Sequence, residues 1–225
     1  MTRTALAHRA LPNYTRAEEI LNMVTHIVGG AFGLLALVIG VVMSALTKDA
    51  YKIVSVSIYC TSLVLMYVVS SVYHGLKTTT SKKVMQIIDH CDIYFLIAGT
   101  YTPILLCSIR EYNAPMAWTI FAVEWGLAFL AATLNAIDLK KFSKLSMTCY
   151  IGMGWCIVAV LKPTIECLSF EGFMWLLLGG VAYTIGAVLY AVGKKVHYMH
   201  SVFHIFVIIG SVLQYISIYK YIIIL

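Results

Sequence analysis

The chain has 225 residues, of which 61% are hydrophobic and 12% charged, and its mean hydropathy is +0.88. Soluble domains carry roughly 25% charged residues, so this composition excludes an ordinary soluble protein and predicts a single membrane domain. The formal net charge of +6 does not indicate a nucleic-acid partner, because Lys and Arg lie in short clusters between apolar runs.

The N-terminal part of the chain is predicted to form a short cytoplasmic segment, residues 1–23, ahead of a membrane domain, residues 24–225. It carries Arg3, Arg9 and Arg16 but no apolar core followed by a small-residue cleavage site. We therefore predict no removable signal peptide. The six cysteines contain no C-x-x-C pair and are interpreted as core residues rather than a disulfide framework.

Seven apolar runs follow, and about 20 such residues are needed for a helix to cross the bilayer. Each run must be helical, because a lone strand would leave its backbone unpaired in lipid. We therefore predict an all-α fold, a bundle of seven transmembrane helices. The runs are Val24–Leu46, Ile53–Tyr73, Ile88–Ile109, Pro115–Ile137, Leu145–Leu161, Gly172–Gly193 and His200–Tyr219.

The distribution of Lys and Arg among the connecting segments predicts the orientation of the bundle. Five positive residues fall on one side: Lys48, Lys52, Arg110, Lys162 and Lys220. The other eleven fall on the opposite side: Arg3, Arg9, Arg16, Lys77, Lys82, Lys83, Lys140, Lys141, Lys144, Lys194 and Lys195. The richer side is cytoplasmic, so the N-terminus is predicted inside and the C-terminus outside.

Six of the seven histidines are predicted to lie at the cytoplasmic end of this bundle, where ionisable groups often mark function. They are His26, His74, His90, His197, His200 and His204. Runs one, three and seven start at that side and run two returns to it. Histidines far apart in sequence are therefore expected at one depth.

The strongest local motif is His200-Ser-Val-Phe-His204, whose imidazoles at i and i+4 share a helical face and can chelate one ion. His74 ends Ser70-Ser-Val-Tyr-His74 on a helix returning to the same depth. Three imidazoles with one open position predict a single zinc ion, with iron or nickel as alternatives. Interfacial histidines bonding lipid headgroups or backbone are the competing interpretation. Paired haem ligation suits an i, i+4 pair poorly.

Acidic residues near this layer are candidates for supporting roles. Asp89 begins the third run and is predicted to hydrogen-bond a ligand or a water beside the metal. Asp92 lies three residues later on nearly the same face and is its rival. Glu124, inside the fourth run, is a candidate for substrate binding, proton transfer or an interhelical hydrogen bond.

Three polar residues spaced about one turn apart open the first run: Glu19, Asn22 and His26. They predict either a polar cluster beside the metal or capping and interfacial anchoring of the helix. His90 and His197 are interpreted as interfacial or supporting residues rather than ligands.

Taken together, these motifs resemble the progestin and adiponectin receptor superfamily, in particular its bacterial haemolysin III branch. The matching stretches are Glu19-Ile-Leu-Asn22-Met-Val-Thr-His26, Ser70-Ser-Val-Tyr-His74-Gly75, Asp89-His90, Ile97-Ala-Gly-Thr-Tyr-Thr-Pro103 and His200-Ser-Val-Phe-His204. The resemblance implies a seven-helix protein of the bacterial inner membrane. It also implies zinc on His74, His200 and His204, with Ser70 and Asp89 in supporting positions.

The same resemblance extends to the alkaline ceramidases, related membrane hydrolases that share this arrangement and cleave lipid amides. By analogy we expect zinc-assisted hydrolysis of a lipid amide or ester that enters between the helices. Asp89 would take a proton from water and Ser70 would donate to the oxyanion. The alternatives are a receptor or membrane-homeostasis regulator with a structural zinc, and a pore-forming haemolysin, which the apolar composition disfavours.

Overall fold

The computed structural model describes residues 4–77, 79–193 and 196–224. Over those ranges the chain forms helices and turns without a β-strand, as the sequence predicts. The long helices are α1 (Arg16–Leu46), α2 (Ala50–Gly75), α3 (Thr80–Pro103), α4 (Ala114–Asp138), α5 (Ser143–Gly154), α6 (Leu161–Val192) and α7 (Met199–Ile218). Shorter helical pieces are Leu6–His8, Ile104–Ile109, Arg110–Tyr112, Cys156–Val160 and Tyr219–Ile224.

Six helical segments of the described chain are long and apolar enough to cross a membrane. One of them, Ser143–Val192, has 50 residues, roughly 75 Å of straight helix. It covers two predicted runs, Leu145–Leu161 and Gly172–Gly193. The number of crossings therefore depends on the path of this segment.

The segment Ser143–Val192 folds back on itself near Ser169. Ser169 has a non-helical backbone, with φ 61° and ψ 166°. The indole Nε1 of Trp155 donates a 3.0 Å hydrogen bond to Thr184 Oγ1, 29 residues further along the chain. On a straight helix these residues would lie about 43 Å apart. The turn at Ser169, close to their midpoint, brings them together, so the segment is a helical hairpin.

The helices begin earlier than the apolar runs because polar residues cap them. Thr15 and Glu18 form a reciprocal capping box in which each side chain accepts a hydrogen bond from the other's backbone N–H, at 3.2 and 2.8 Å. As a result α1 starts at Arg16, ahead of the predicted start at Val24. Likewise, Asn113 Oδ1 accepts from the backbone of Met116 at the start of α4.

The regular helix of α3 ends at Pro103 without a loop. Proline has no N–H to donate to the preceding turn, and the chain continues as a π-helical segment, Ile104–Ile109. That segment is buried against the bundle. The interruption therefore lies inside the protein, where neighbouring helices surround the irregular backbone.

Glycines permit the closest helix contacts. A Cβ added at Gly29 would meet the Tyr67 ring, and one added at Gly179 would lie 3.0 Å from the carbonyl oxygen of Gly210 on α7. Gly180 is different, because a Cβ there would meet no atom within 4 Å. Only the first of these two adjacent glycines is required for helix approach.

We therefore expect Gly179→Ala to destabilise the protein by about 1–3 kcal/mol, because α6 must move away from the backbone of α7. Gly180→Ala is the matched control and should leave the melting temperature unchanged or raise it, since alanine is the better helix former. Thermal unfolding of both variants in the same detergent measures the difference. Equal destabilisation by the two substitutions would contradict the packing described here.

The bundle gathers most of its histidines at one end. The start of α1, the end of α2 and the start of α7 meet there, together with the N-terminal segment. That segment is tied down by Thr4 N, which donates to Asp138 Oδ2 at 2.9 Å, and by Lys83 Nζ, which donates to the Ala7 carbonyl at 2.6 Å. The candidate site lies beneath it.

Candidate metal centre

Three histidines converge where α2 ends and α7 begins. The Nε2 atom of His200 lies 3.3 Å from Nε2 of His74 and 3.0 Å from Nε2 of His204. His74 and His204 are almost completely buried, at 2% and 1% exposure. The i, i+4 spacing places His200 and His204 on one face of α7. The end of α2 places His74 beside them. The three residues form a group that could hold one metal ion.

The donor set fits zinc. Neutral imidazole nitrogens facing one another at this distance present lone pairs that repel unless a proton or a cation lies between them. Zinc–nitrogen bonds of about 2.0–2.1 Å in a tetrahedron place ligand nitrogens roughly 3.3 Å apart. The observed separations of 3.0 and 3.3 Å match that value. Three ligands would leave one position for a water or a substrate.

Glu19 orients the His74 ring. Its Oε2 accepts a 2.7 Å hydrogen bond from His74 Nδ1, and its Oε1 accepts a 2.6 Å bond from Lys82 Nζ. A carboxylate only accepts, so the imidazole hydrogen lies on Nδ1 and the Nε2 lone pair faces the cluster. Carboxylate support of this kind raises the basicity of a metal-binding histidine. Lys82 is itself buried and also donates to the Leu76 carbonyl.

His204 is supported by the same part of α1. Its Nδ1 lies 3.3 Å from the carbonyl oxygen of Asn22, while the Asn22 side chain accepts a 2.5 Å bond from Ser201. The His26 ring stacks on His204 with centroids 3.6 Å apart. The structure thus places Glu19, Asn22 and His26 beside the three histidines.

Packing holds the Nδ1 side of the His200 ring. Its Nδ1 is buried and has no hydrogen-bond partner among the described residues. The Tyr14 ring stacks on the His200 ring with centroids 5.0 Å apart, and the ring centroids of Tyr190 and Phe203 lie 5.6 and 5.5 Å from that of His200. Burial raises the pKa of the Tyr14 phenol, so this ring is neutral. The N-terminal segment therefore covers the cluster with an uncharged aromatic side chain.

We expect Glu19→Gln to weaken zinc binding about 10- to 100-fold, because His74 loses a charged hydrogen-bond partner. Zinc affinity measured by competition with a chelator tests this. Glu166→Gln is the matched control, since Glu166 is exposed and pairs only weakly with Lys162 at 3.8 Å. Unchanged affinity in Glu19→Gln would show that Glu19 does not support the metal ligand.

A cavity of about 170 Å³ adjoins the cluster. Ser70 and Asp89 line it together with His26, His200 and His204, and its remaining walls are largely apolar and aromatic. It extends between α3, α5, α6 and α7 as far as Tyr101, Trp155 and Gln214. The cavity therefore joins a polar end at the histidines to an apolar interior, a shape suited to an amphiphilic molecule.

The other polar candidates lie elsewhere. Asp92 lines a separate groove rather than the cavity, and Glu124 is buried in α4. His197 is exposed and lies 3.4 Å from Glu18. His90 borders the cavity, but its Nδ1 donates a hydrogen bond to the Gln86 carbonyl. The metal cluster includes none of these four residues.

Sequence patterns did not reveal two neighbours of the cluster, Tyr14 and Lys82. Lys82 contributes to the charge bias of a connecting segment, and its partner Glu19 is 63 residues away. Tyr14 precedes the first helix in a segment without periodicity. Local spacing carries no signal for either contact, because both depend on how the N-terminal segment and α3 lie across the end of the bundle.

Apolar helices and a largely buried group of three histidines define an all-helical integral membrane protein with a candidate metal centre at one end of its bundle. The chain belongs to the Haemolysin-III related family, whose profile matches residues 14–215.

Similar proteins support this assignment. The chain is 36% identical to Hemolysin-3 of Bacillus cereus over 91% of its own length and 92% of that protein, and 35% identical to the Hemolysin-3 homolog of Bacillus subtilis over 92% and 96%. It is 26% identical to the human monocyte to macrophage differentiation factor over 95% of the chain and 90% of that protein. The family predicted from the sequence is thereby confirmed.

Proposed function

We propose that the protein is a zinc-dependent hydrolase that cleaves an amide or ester bond of a membrane lipid in the bacterial plasma membrane. The observation that carries this proposal is the convergence of three imidazole nitrogens beside a cavity lined by Ser70 and Asp89. A closed four-ligand site would indicate a structural metal, whereas three ligands leave a position open. The apolar end of the cavity provides space for a lipid chain.

The proposal includes a seven-helix topology with the N-terminus in the cytoplasm. Support comes from the hairpin turn at Ser169, which divides the 50-residue segment into two arms. An odd number of crossings also agrees with the excess of Lys and Arg on one side. In this arrangement the histidines lie near the inner leaflet, level with the headgroup end of a lipid.

The chemistry assigns a role to each side chain. His74, His200 and His204 would hold the ion, and Glu19 keeps the His74 lone pair directed at it. Zinc, when bound, acts as a Lewis acid that polarises a carbonyl and lowers the pKa of water. Asp89 accepts a proton from the attacking water and transfers it to the leaving group. The Ser70 hydroxyl donates to the oxygen that becomes negative.

A panel of lipid amides and esters tests the activity directly. Purified protein in nanodiscs should release fatty acid from at least one member of the panel. A chelator should abolish the release and added zinc should restore it. Zinc-replete protein that releases no fatty acid from any lipid, beside an active reference hydrolase, would overturn the proposal and favour a receptor or regulator with a structural ion.

A further inference from the structure

A second recess opens at the surface of the bundle, between α2, α3 and α4. It has a volume of about 490 Å³ and shares no lining residue with the histidine cavity. Ligand sites in proteins commonly have volumes of about 300–1,000 Å³. Its lining residues are Ser57, Ile58, Thr61, Ser62, Leu65, Asp92, Phe95, Trp125 and Phe129. We call this recess the α2–α4 groove.

Asp92 gives the groove its charge. One carboxylate oxygen, Oδ2, is buried and has no hydrogen-bond partner in the described part of the chain. None of the nine lining residues is Lys, Arg or His. An ionisable side chain within a membrane-spanning helix is costly and generally pairs with another group. The Asp92 side chain lines the groove and is only partly buried, and none of the lining residues supplies a positive charge. A cationic ligand in the groove can therefore meet the accessible edge of this carboxylate.

The hydroxyls in the groove are arranged as acceptors. Ser57 Oγ donates its hydrogen to the Ile53 carbonyl at 2.7 Å, and Ser62 Oγ donates to the Tyr59 carbonyl at 2.7 Å. Each hydroxyl therefore has no hydrogen left to donate to a ligand and can only accept. Thr61 can accept or donate. A ligand that meets these groups must itself be rich in donors.

Three aromatic rings complete the groove. The ring centroids of Phe95 and Phe129 lie 5.4 Å apart, and the centroid of Trp125 lies 6.3 Å from that of Phe95 and 6.0 Å from that of Phe129. Trp125 Nε1 donates a 3.1 Å hydrogen bond to Thr102 Oγ1, which orients the indole and leaves its N–H unavailable to a ligand. The faces of aromatic rings attract cations. A carboxylate, acceptor hydroxyls and ring faces together are complementary to an ammonium group.

We propose that the α2–α4 groove binds an amphiphile with a primary ammonium group, whose nitrogen pairs with Asp92 and whose alkyl chain lies along α2. The lining residues of α2 extend from Leu65 to Ser57, eight residues or about 12 Å of helix. Leu65 and Phe129 are exposed at the edge of the groove. A single alkyl chain can therefore enter from the surrounding lipid.

Radiolabelled decylamine is the probe, and protein in nanodiscs is compared with empty nanodiscs. Binding should be saturable, close to one molecule per chain, and decanol should compete at least 10-fold less well because it lacks the charge. Asp92→Asn should weaken binding roughly 10- to 100-fold. Asp49→Asn is the matched control. It makes the same change at the cap of α2, outside the groove, and should leave amine binding intact.

Phe129→Leu provides a second measurement at the edge of the groove. The Phe129 side chain is 59% exposed, so its loss should not impair folding, yet amine affinity should fall several-fold. The melting temperature and zinc content of each variant show that the bundle is intact. Non-saturable uptake equal to that of empty nanodiscs, equal competition by decanol, or unchanged binding in Asp92→Asn would each overturn the proposal.

Discussion

Replacing His200 by alanine should reduce the zinc content of the purified protein from about one ion per chain to nearly zero. His200 Nε2 lies 3.3 Å from His74 Nε2 and 3.0 Å from His204 Nε2. Its loss leaves only two histidine ligands, which are not enough to hold zinc strongly. Elemental analysis of protein purified without added chelator measures the change. The same variant should lose any zinc-dependent lipid hydrolysis.

The matched control for this experiment is His197→Ala. His197 is three residues away, exposed to solvent and outside the cluster, so zinc content should remain near one ion per chain. Melting temperatures of both variants separate loss of metal from loss of fold. Full zinc content in His200→Ala would contradict the metal centre, even with the helix bundle intact.

Replacing Asp89 by asparagine should lower lipid turnover at least about 100-fold while zinc content stays near one ion per chain. The carboxylate borders the cavity but does not belong to the group of three histidines. Asparagine has a similar shape but cannot take a proton, and general base catalysis commonly contributes 10²–10⁴-fold. Initial rates at saturating lipid, measured alongside elemental analysis, test this expectation.

Asp49→Asn is the matched control for Asp89. Asp49 caps α2 at the end of that helix opposite His74, and asparagine caps helices about as well as aspartate. Turnover should therefore stay within about twofold of wild type. If Asp89→Asn retained full turnover, Asp89 would not be the base; if it lost zinc as well, the residue would support the metal instead.

The structure also accounts for where sequence-based prediction was incomplete. The apolar runs located the helices but underestimated their length, because polar caps such as Thr15 and Asn113 lie outside the apolar residues. The fifth and sixth runs were predicted as separate spans, whereas the structure joins them in one 50-residue segment whose helix runs from Leu161 to the turn at Ser169 and beyond. Pro163 falls in the first turn of α6, where a missing N–H is tolerated, so it does not break the helix.

The sequence alone determined the helical class, the family, and the three histidines of the candidate metal centre. The helical class follows from the length of the apolar runs and the His200–His204 pair from its i, i+4 spacing, whereas the family follows from the resemblance of the motifs. Only the tertiary structure decided which groups support the histidines, with Glu19 bonded to His74 and Tyr14 stacked on His200. It also separated Asp89, beside the histidine cavity, from Asp92, in the α2–α4 groove. Contacts between helices distant in sequence depend on how the helices pack, and residue spacing along one helix does not encode that packing.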